Sequence, residues 1–434
     1  MTKAAKPAEK EPLLYLKQVR IRNHAPIFDA KVDFKPGLNI IIGPNGAGKT
    51  RFISLAGQSA LIDALPTEDS LNCELLFGYN NDVEVHFHDE IPVEGALSSA
   101  YLASAKGVDI RVGRFVKPKV RFKGQAQWDD RCSSLSIPFE TLGINTRKHV
   151  VITAQYGSPL QHLPLADDAA SLLFSPSKGM LLDSEMPNKA LDLVMGSLLT
   201  AAILIHLIQA YRNREWHQPE VKPRHIFPAD EARELINRVA KQHLDALQPY
   251  LATYSAIEDV RLESYFQVYD NTATQETIVK GLVLSYCIDG NWLPLSALSD
   301  GTKRLLYLIT QLVSPAAQPG PTPLAPFTLF EPSKIIFLEE PELGIHPSQL
   351  HKLLSLIREV SREHQVIMTT HSPQVLDMLS EKELDRITIC ELDPKRGTQF
   401  HKLSAAKKKQ ARTYMREELH LSDFWLHSNL ENEA

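Results

Sequence analysis

The sequence is poor in cysteine, with four among 434 residues. Cys73, Cys132, Cys287 and Cys390 are scattered and form no C-x-x-C pair. That excludes a disulfide framework and a thiolate zinc site. It suits a reducing compartment, so a cytoplasmic location is expected. Excess basic charge is lacking too. The net charge of -5 leaves no global footprint for nucleic acid, so any such contact must come from a local patch. Only residues 190–211 are apolar over a length that invites a membrane reading, and they carry Asp192, Ser197, Thr200, His206 and Gln209. An unpaired Asp and His are costly inside a span. The stretch reads as a buried core or oligomer-interface helix, and no membrane contact is expected. Long coiled-coil heptads and internal repeats are absent. Residues 1–12 mix Lys and Glu without an apolar core and read as a disordered tail rather than a signal peptide.

What is present is ordinary globular material, 43% hydrophobic and 23% charged, enough for two or three domains. One stretch organises it: Gly43-Pro44-Asn45-Gly46-Ala47-Gly48-Lys49-Thr50. It follows an apolar run, Leu38 to Ile42, that reads as a buried strand, and a helical pattern begins right after it. The spacing G-x-x-x-x-G-K-T is that of a phosphate-binding loop. Its glycines let backbone N–H groups turn inward around a polyphosphate at a helix N-terminus. Lys49 is expected to reach the β and γ phosphates and Thr50 to place its hydroxyl on Mg²⁺.

Elsewhere the pattern is mixed. Leu14 to Arg22 and Ala30 to Phe34 alternate as strands, and residues 72–155 look mostly β. Arg111, Arg114, Lys117, Lys119, Arg121 and Lys123 mark either a solvated sheet face or a surface for nucleic acid or an acidic partner. From about residue 160 to 255 the pattern turns helical, with a stripe of Leu235, Ile236, Val239, Ala240, Leu244, Leu247 and Leu251. Leu262 to Cys287 returns to β, and Asp289-Gly290 marks a hairpin. Residues 314–332 hold six prolines and read as an exposed insertion. Beyond Ser333, strands at 334–338, 365–369 and 386–391 alternate with helices at 349–358 and 373–379. A polar tail helix begins at Lys407 and ends near Leu421.

The site's other half lies in this last region. Glu339 and Glu340 follow the apolar run Ile335 to Leu338, so a strand delivers two acids at its C-terminal end. One acid can hold Mg²⁺ through water, and the other can polarise the attacking water. His371 ends the next strand, where it could touch a γ-phosphate. Leu298-Ser299-Asp300-Gly301-Thr302 opens a strongly helical run, a pattern that fits an anion site or a plain N-cap.

These four motifs, in this order, resemble the ABC-type ATPase superfamily, in the soluble branch with RecF, the SMC-like proteins and the OLD-family ATPases. GPNGAGKT corresponds to the Walker A and LSDGT to the signature. FLEEPELGIHP corresponds to the Walker B with its D-loop, and TTHSP to the switch-histidine segment. The resemblance covers residues 14–60 and 290–392 and implies an α/β fold: an ABC-type P-loop ATPase head with a mixed sheet, an antiparallel β-subdomain and a helical insertion. It implies ATP and Mg²⁺ as cofactors. Gly43 to Thr50 would bind phosphate. Glu340 would be the catalytic base, Glu339 the Mg²⁺-associated acid and His371 the switch histidine. Ser299 and Gly301 would contact the γ-phosphate held by a second copy. Gln155 is the candidate Q-loop residue, catalytic and metal-associated, and Arg22, Asn23 and His24 lie where such ATPases contact base or ribose. This chain departs from the pattern at Glu339, where Asp is usual, and at Asp300 and Thr302, where Gly and Gln are usual.

The implied organisation is an N-terminal lobe over 13–158, a helical insertion over 159–258 and a C-terminal lobe over 259–434. The implied activity is ATP hydrolysis in a nucleotide-sandwich dimer that controls a nuclease or toxin in DNA repair or antiphage defence. About forty residues follow Glu391, fewer than a nuclease domain needs, so the effector is expected on another chain. An SMC- or RecF-like DNA-binding structural ATPase is the alternative. A transporter subunit fits less well, since LSDGT departs from LSGGQ and the middle is β-rich. The guanine-reading N-K-x-D is absent, because Asn188-Lys189-Ala190-Leu191 lacks the Asp, and this favours ATP.

Overall fold

The computed structural model describes residues 14–60, 73–79, 83–89, 116–122, 151–155, 170–175, 179–182, 229–271, 276–313, 316–318, 328–330, 334–417 and 419–427. The chain divides into two units. The first comprises 1–157, 332–343 and 354–434; the second comprises 158–331 and 344–353. The expected C-terminal lobe over 259–434 is thus shared between the units, with the signature segment in the second.

The first unit is built on one eleven-stranded sheet. Strands are numbered in chain order, the second unit taking the intermediate numbers. Here they are β1 (Leu14–His24), β2 (Ile27–Asp33), β3 (Leu38–Ile42), β4 (Cys73–Tyr79), β5 (Val83–Asp89), β6 (Val116–Phe122), β7 (Val151–Gln155), β17 (Lys334–Glu339), β18 (Gln365–Thr370), β19 (Ile387–Asp393) and β20 (Gly397–Lys402). Five run parallel in the order β7-β17-β18-β3-β19. The other six, β20-β2-β1-β4-β5-β6, extend the sheet as an antiparallel wing. Composition explains the split. β3 and β18 are buried at every residue, as strands covered on both faces must be. β2 alternates buried and exposed, as a strand wetted on one face does. The wing joins the parallel part through the β19–β20 ladder, and within the wing β2 pairs with β20 at one register position, Ile27 opposite Gly397. Helix α1 (Lys49–Ala60) buries Phe52, Ile53, Leu55 and Ala56, and Phe52 stacks obliquely on Phe400 at 4.5 Å between centroids.

The second unit holds helices α2 (Ala229–Tyr254) and α3 (Asp300–Val313) with small antiparallel sheets. Within the stretch read as helical, residues 170–175 (β8) and 179–182 (β9) are instead strands. β8 pairs with residues 276–282 (β12), and that distant ladder overrides the local pattern. α2 carries the expected stripe, with Leu235, Ile236, Ala240, Leu244, Leu247 and Leu251 buried. The Asp289-Gly290 hairpin forms, joining residues 284–288 (β13) to 291–294 (β14), with φ of 50° and 73° at its two turn residues. Both turn residues therefore sit where a type I′ turn needs them. Short strands at 316–318 and 328–330 pair across the Pro-rich insertion.

Two further expectations shift. Residues 373–378 form a 3₁₀ helix rather than an α-helix, with Pro373 at its start. The tail holds two helices, α4 (Ala405–Arg416) and α5 (Leu421–His427), where one was expected. Among the described residues no helix is long and apolar enough to cross a membrane. Residues 190–211, 1–12, Arg111, Arg114 and Lys123 lie outside the described residues.

Gln365, fully buried, locks the start of β18 to its surroundings. Its Oε1 accepts from the Leu16 N–H at 2.7 Å, and its Nε2 donates to the carbonyls of Leu16 and Lys35 at 2.9 and 3.0 Å. Replacing it with Leu leaves a buried N–H and C=O without partners, at about 1–3 kcal/mol each. Gln365→Leu is therefore expected to lower stability in urea denaturation by at least about 2 kcal/mol. An unchanged midpoint would refute the role given to this amide.

Glu383 is the second tie. Burial raises its carboxyl, but the two-pronged Arg358 guanidinium at 2.7 Å and the Ser380 hydroxyl and N–H overcome this and hold it at about 2. A carboxyl held low when folded adds stability that is complete above its ordinary 4.5 and is lost as pH falls through about 2. The stability gap between the wild type and Glu383→Gln should shrink across that window. A gap that stays flat there would contradict the assignment.

Candidate nucleotide site

The site is assembled by strand register. In the parallel ladder Glu339 lies opposite Thr369, and Thr369 opposite Ile41. β17, β18 and β3 therefore end level, and the segments that follow them share one rim. That rim is the C-terminal edge of a parallel sheet, where open α/β folds bind ligands. Gln155 ends β7 opposite Leu338, one step back from the level of Glu339.

The loop after β3 has no room for side chains at two points. A Cβ on Gly43 would lie 2.0 Å from the Cys390 carbonyl oxygen. Gly48 has φ of 102°, and a Cβ there would lie 2.3 Å from Thr398 Oγ1. Both glycines let the backbone press against β19 and β20 while the loop turns into α1. Pro44, Asn45 and Gly46 are exposed, and Ala47 is buried. Cys390 supports the loop from beneath: burial pushes its thiol up to about 12 even with Lys49 nearby, and its Sγ donates to the Ala47 carbonyl at 3.5 Å.

Lys49, at the first turn of α1, is 4% exposed. Its ammonium donates to the carbonyls of Gly43 and Pro44 at 2.8 and 3.0 Å and lies 3.6 Å from Glu340 Oε1. The same Glu340 oxygen is 3.4 Å from His371 Nδ1. Glu340 thus stands between a cation and an imidazole. Its backbone is strained, with φ of 40°, a region a non-glycine side chain rarely adopts. The strain is held by the Glu340 N–H, which donates to the Thr369 carbonyl at 3.0 Å, and by the turn in which Leu343 N–H donates to the Glu340 carbonyl.

A cleft of about 760 Å³ opens here, lined by residues that include Pro26, Asn45, Gly46, Gly48, Lys49, Thr50, Glu340, Leu343 and His371. That volume suits a ligand of nucleotide size. The structure thus gathers the loop, Glu340 and His371 around one space, with exposed Thr50 in its wall. Glu339, buried at the end of β17, is not among the lining residues. Arg22 pairs with Glu74, Asn23 has φ of 57° and His24 is buried; none of the three lines the cleft, whereas Pro26 does. Ser299 and Gly301 belong to the second unit. There Ser299 caps α3: its Oγ accepts from the Thr302 N–H at 3.2 Å and meets Thr302 Oγ1 at 2.8 Å. Motif spacing passed over Glu342, which lies buried beside His371, although the second acid of Glu340-Pro341-Glu342 was the available signal.

Two family models match stretches of the chain. A family described as "AAA domain" matches residues 18–90, which hold the phosphate loop. A second, described as "AAA domain, putative AbiEii toxin, Type IV TA system", matches residues 217–377, which hold the signature, the paired acids and His371. Two separate stretches of the chain thus resemble AAA domains. Among individual relatives, the Retron Ec83 probable ATPase of Escherichia coli is 26% identical over 134 residues, 30% of this chain and 23% of that protein. An uncharacterized protein of Methanocaldococcus jannaschii is 29% identical over 66 residues, 15% of this chain and 16% of its own length. The chain thus spans less than a quarter of each of these relatives. Among solved structures, an Smc head bound to the C-terminal winged-helix domain of ScpA is 12% identical at a TM-score of 0.46, with 91% of this chain and 99% of that one covered. The Pyrococcus furiosus Smc head with an extended coiled coil is 13% identical at a TM-score of 0.46, with coverage of 93% and 100%.

A charged donor to phosphate is worth about 1.5–3 kcal/mol, or roughly 10- to 100-fold in affinity. Lys49→Met is expected to weaken ATP binding by about that factor in calorimetry. It should also lower thermal stability modestly, since the buried Gly43 carbonyl loses its donor. Unchanged affinity would remove Lys49 from the site.

Proposed function

We propose that the chain is a switch ATPase. It closes ATP between two copies and hydrolyses it to control a separate effector protein, a nuclease or toxin, in DNA repair or antiphage defence. The observation that carries this reading is the convergence of Lys49, Glu340 and His371 on one rim beside a phosphate loop. The two glycines that admit no Cβ make the loop a backbone cradle, which fits a polyphosphate. Glu340 is the acceptor for a proton of the attacking water. His371 orients Glu340 and faces the γ-phosphate. Thr50 and Glu339 would hold Mg²⁺, with Gln155 at the same edge; the metal supplies neutralisation of phosphate charge.

Ser299 and Gly301 complete the partner copy's site in this reading. Placement of the cap at a helix start supports it, because N–H groups there are oriented toward an anion. The match to a family described by a toxin and to a retron ATPase supports the effector assignment. Native mass spectrometry tests the reading. Glu340→Gln with ATP is expected to accumulate as a dimer, with turnover reduced at least about 100-fold, the usual contribution of a general base. Adding Ser299→Ala should return it to monomer. A strict monomer with ATP would sink the sandwich arrangement, and DNA-stimulated turnover in the absence of any co-purifying effector would favour a DNA-binding structural ATPase instead.

A further inference from the structure

Glu342 has no place in the constellation described so far, yet its surroundings are unusual for an acid. Its side chain is 6% exposed. Oε1 accepts the Thr370 hydroxyl, and Oε2 has no hydrogen-bond partner among the described residues. A carboxyl in that state is costly, and the surrounding chain must hold it there. Burial pushes it up from the ordinary carboxylate range, with the Thr370 hydroxyl acting against that shift.

Its position explains what the cost supports. Glu342 belongs to the turn that starts at strained Glu340 and closes with the Leu343 N–H on the Glu340 carbonyl. Thr370, fully buried, sits immediately before His371. Its Oγ accepts from the Ser372 N–H at 2.9 Å, so one hydroxyl brackets His371 from both sides. The bond between Glu342 and Thr370 therefore ties the turn bearing Glu340 to the turn bearing His371. His371 Nδ1 lies between the two acids, 3.4 Å from Glu340 Oε1 and 3.9 Å from Glu342 Oε1. A ring nitrogen facing two acceptors carries the proton, which leaves Nε2 as the atom presented elsewhere.

We propose that Glu342 is a positioning residue: through Thr370 it fixes the separation of Glu340 and His371 and holds the imidazole with Nδ1–H toward Glu340. This rests on the ATPase reading above. A plain structural tie would lower stability and nucleotide binding together. A positioning tie lowers turnover while binding survives, because the phosphate loop lies on a different segment.

The test measures steady-state hydrolysis and equilibrium binding of a fluorescent ATP analogue on the full chain. Glu342→Leu, which removes the acceptor, and Thr370→Val are each expected to lower kcat by about 10- to 100-fold, the scale on which residues that orient a functional ligand act. Binding should change by less than about threefold, a difference under 1 kcal/mol. Thr370→Ser, which keeps the hydroxyl, should recover most of the loss of Thr370→Val. The double variant Glu342→Leu/Thr370→Val should be no slower than the slower single, since both remove one linkage. Wild-type kcat in both singles overturns the proposal, as does a loss that appears equally in binding or multiplies in the double variant. If the unaltered chain binds ATP and never turns it over, the hydrolysis reading itself fails and the proposal falls with it.

Discussion

The level ending of three parallel strands is the constraint on which this site depends. β3, β18 and residues 335–339 of β17 are buried, so their register is set by packing rather than by anything at the rim. A slip of one residue would turn every side chain to the opposite face. Register therefore carries the chemistry: it brings the phosphate loop, the acid pair and the histidine to one edge, although they lie about 300 residues apart in sequence along a chain of this length. The loop glycines and the strained Glu340 are local adjustments made after the strands have fixed the distances.

The parts legible in the sequence were those whose cause is local. Continuous apolar runs marked β3, β17 and β18, and the spacing of glycines, Lys49 and Thr50 marked the loop. The Asp289-Gly290 hairpin was legible for the same reason, because a turn needing two positive φ angles admits few residue types. Long-range causes left no such mark. β8, Ala-Ser-Leu-Leu-Phe-Ser, has no pattern that distinguishes strand from helix until β12 pairs with it. The two-unit division was also hidden, because residues 344–353 group with a unit whose other residues end at Glu331. The burial of Glu342 was not legible, because an acid beside a proline ordinarily faces water and its bond to Thr370 is made across the fold.

The site combines an engaged Lys49 with an acid and a histidine that are themselves held. Lys49 is buried and bonded to loop carbonyls, so its charge is aimed before any ligand arrives. Preorganisation of that kind lowers the cost of binding, since no side chain must be ordered later. It also fits a slow switch as well as a fast enzyme, because what is fixed here is geometry rather than rate. Glu339 differs in kind: it is buried at the end of β17 and is not among the residues that line the cleft.

The eleven strands are not equally bound to one another. β1 and β2 share a long run of paired positions, as do β19 and β20, whereas β2 and β20 pair in register at Ile27 and Gly397 alone. That seam runs past Pro26, which lines the cleft, and past Thr398, which abuts Gly48. In mechanical terms the sheet is two stiff plates joined by a narrow weld, and the weld lies against the loop. The seam with the fewest paired positions in the sheet is thus the one that borders the phosphate loop.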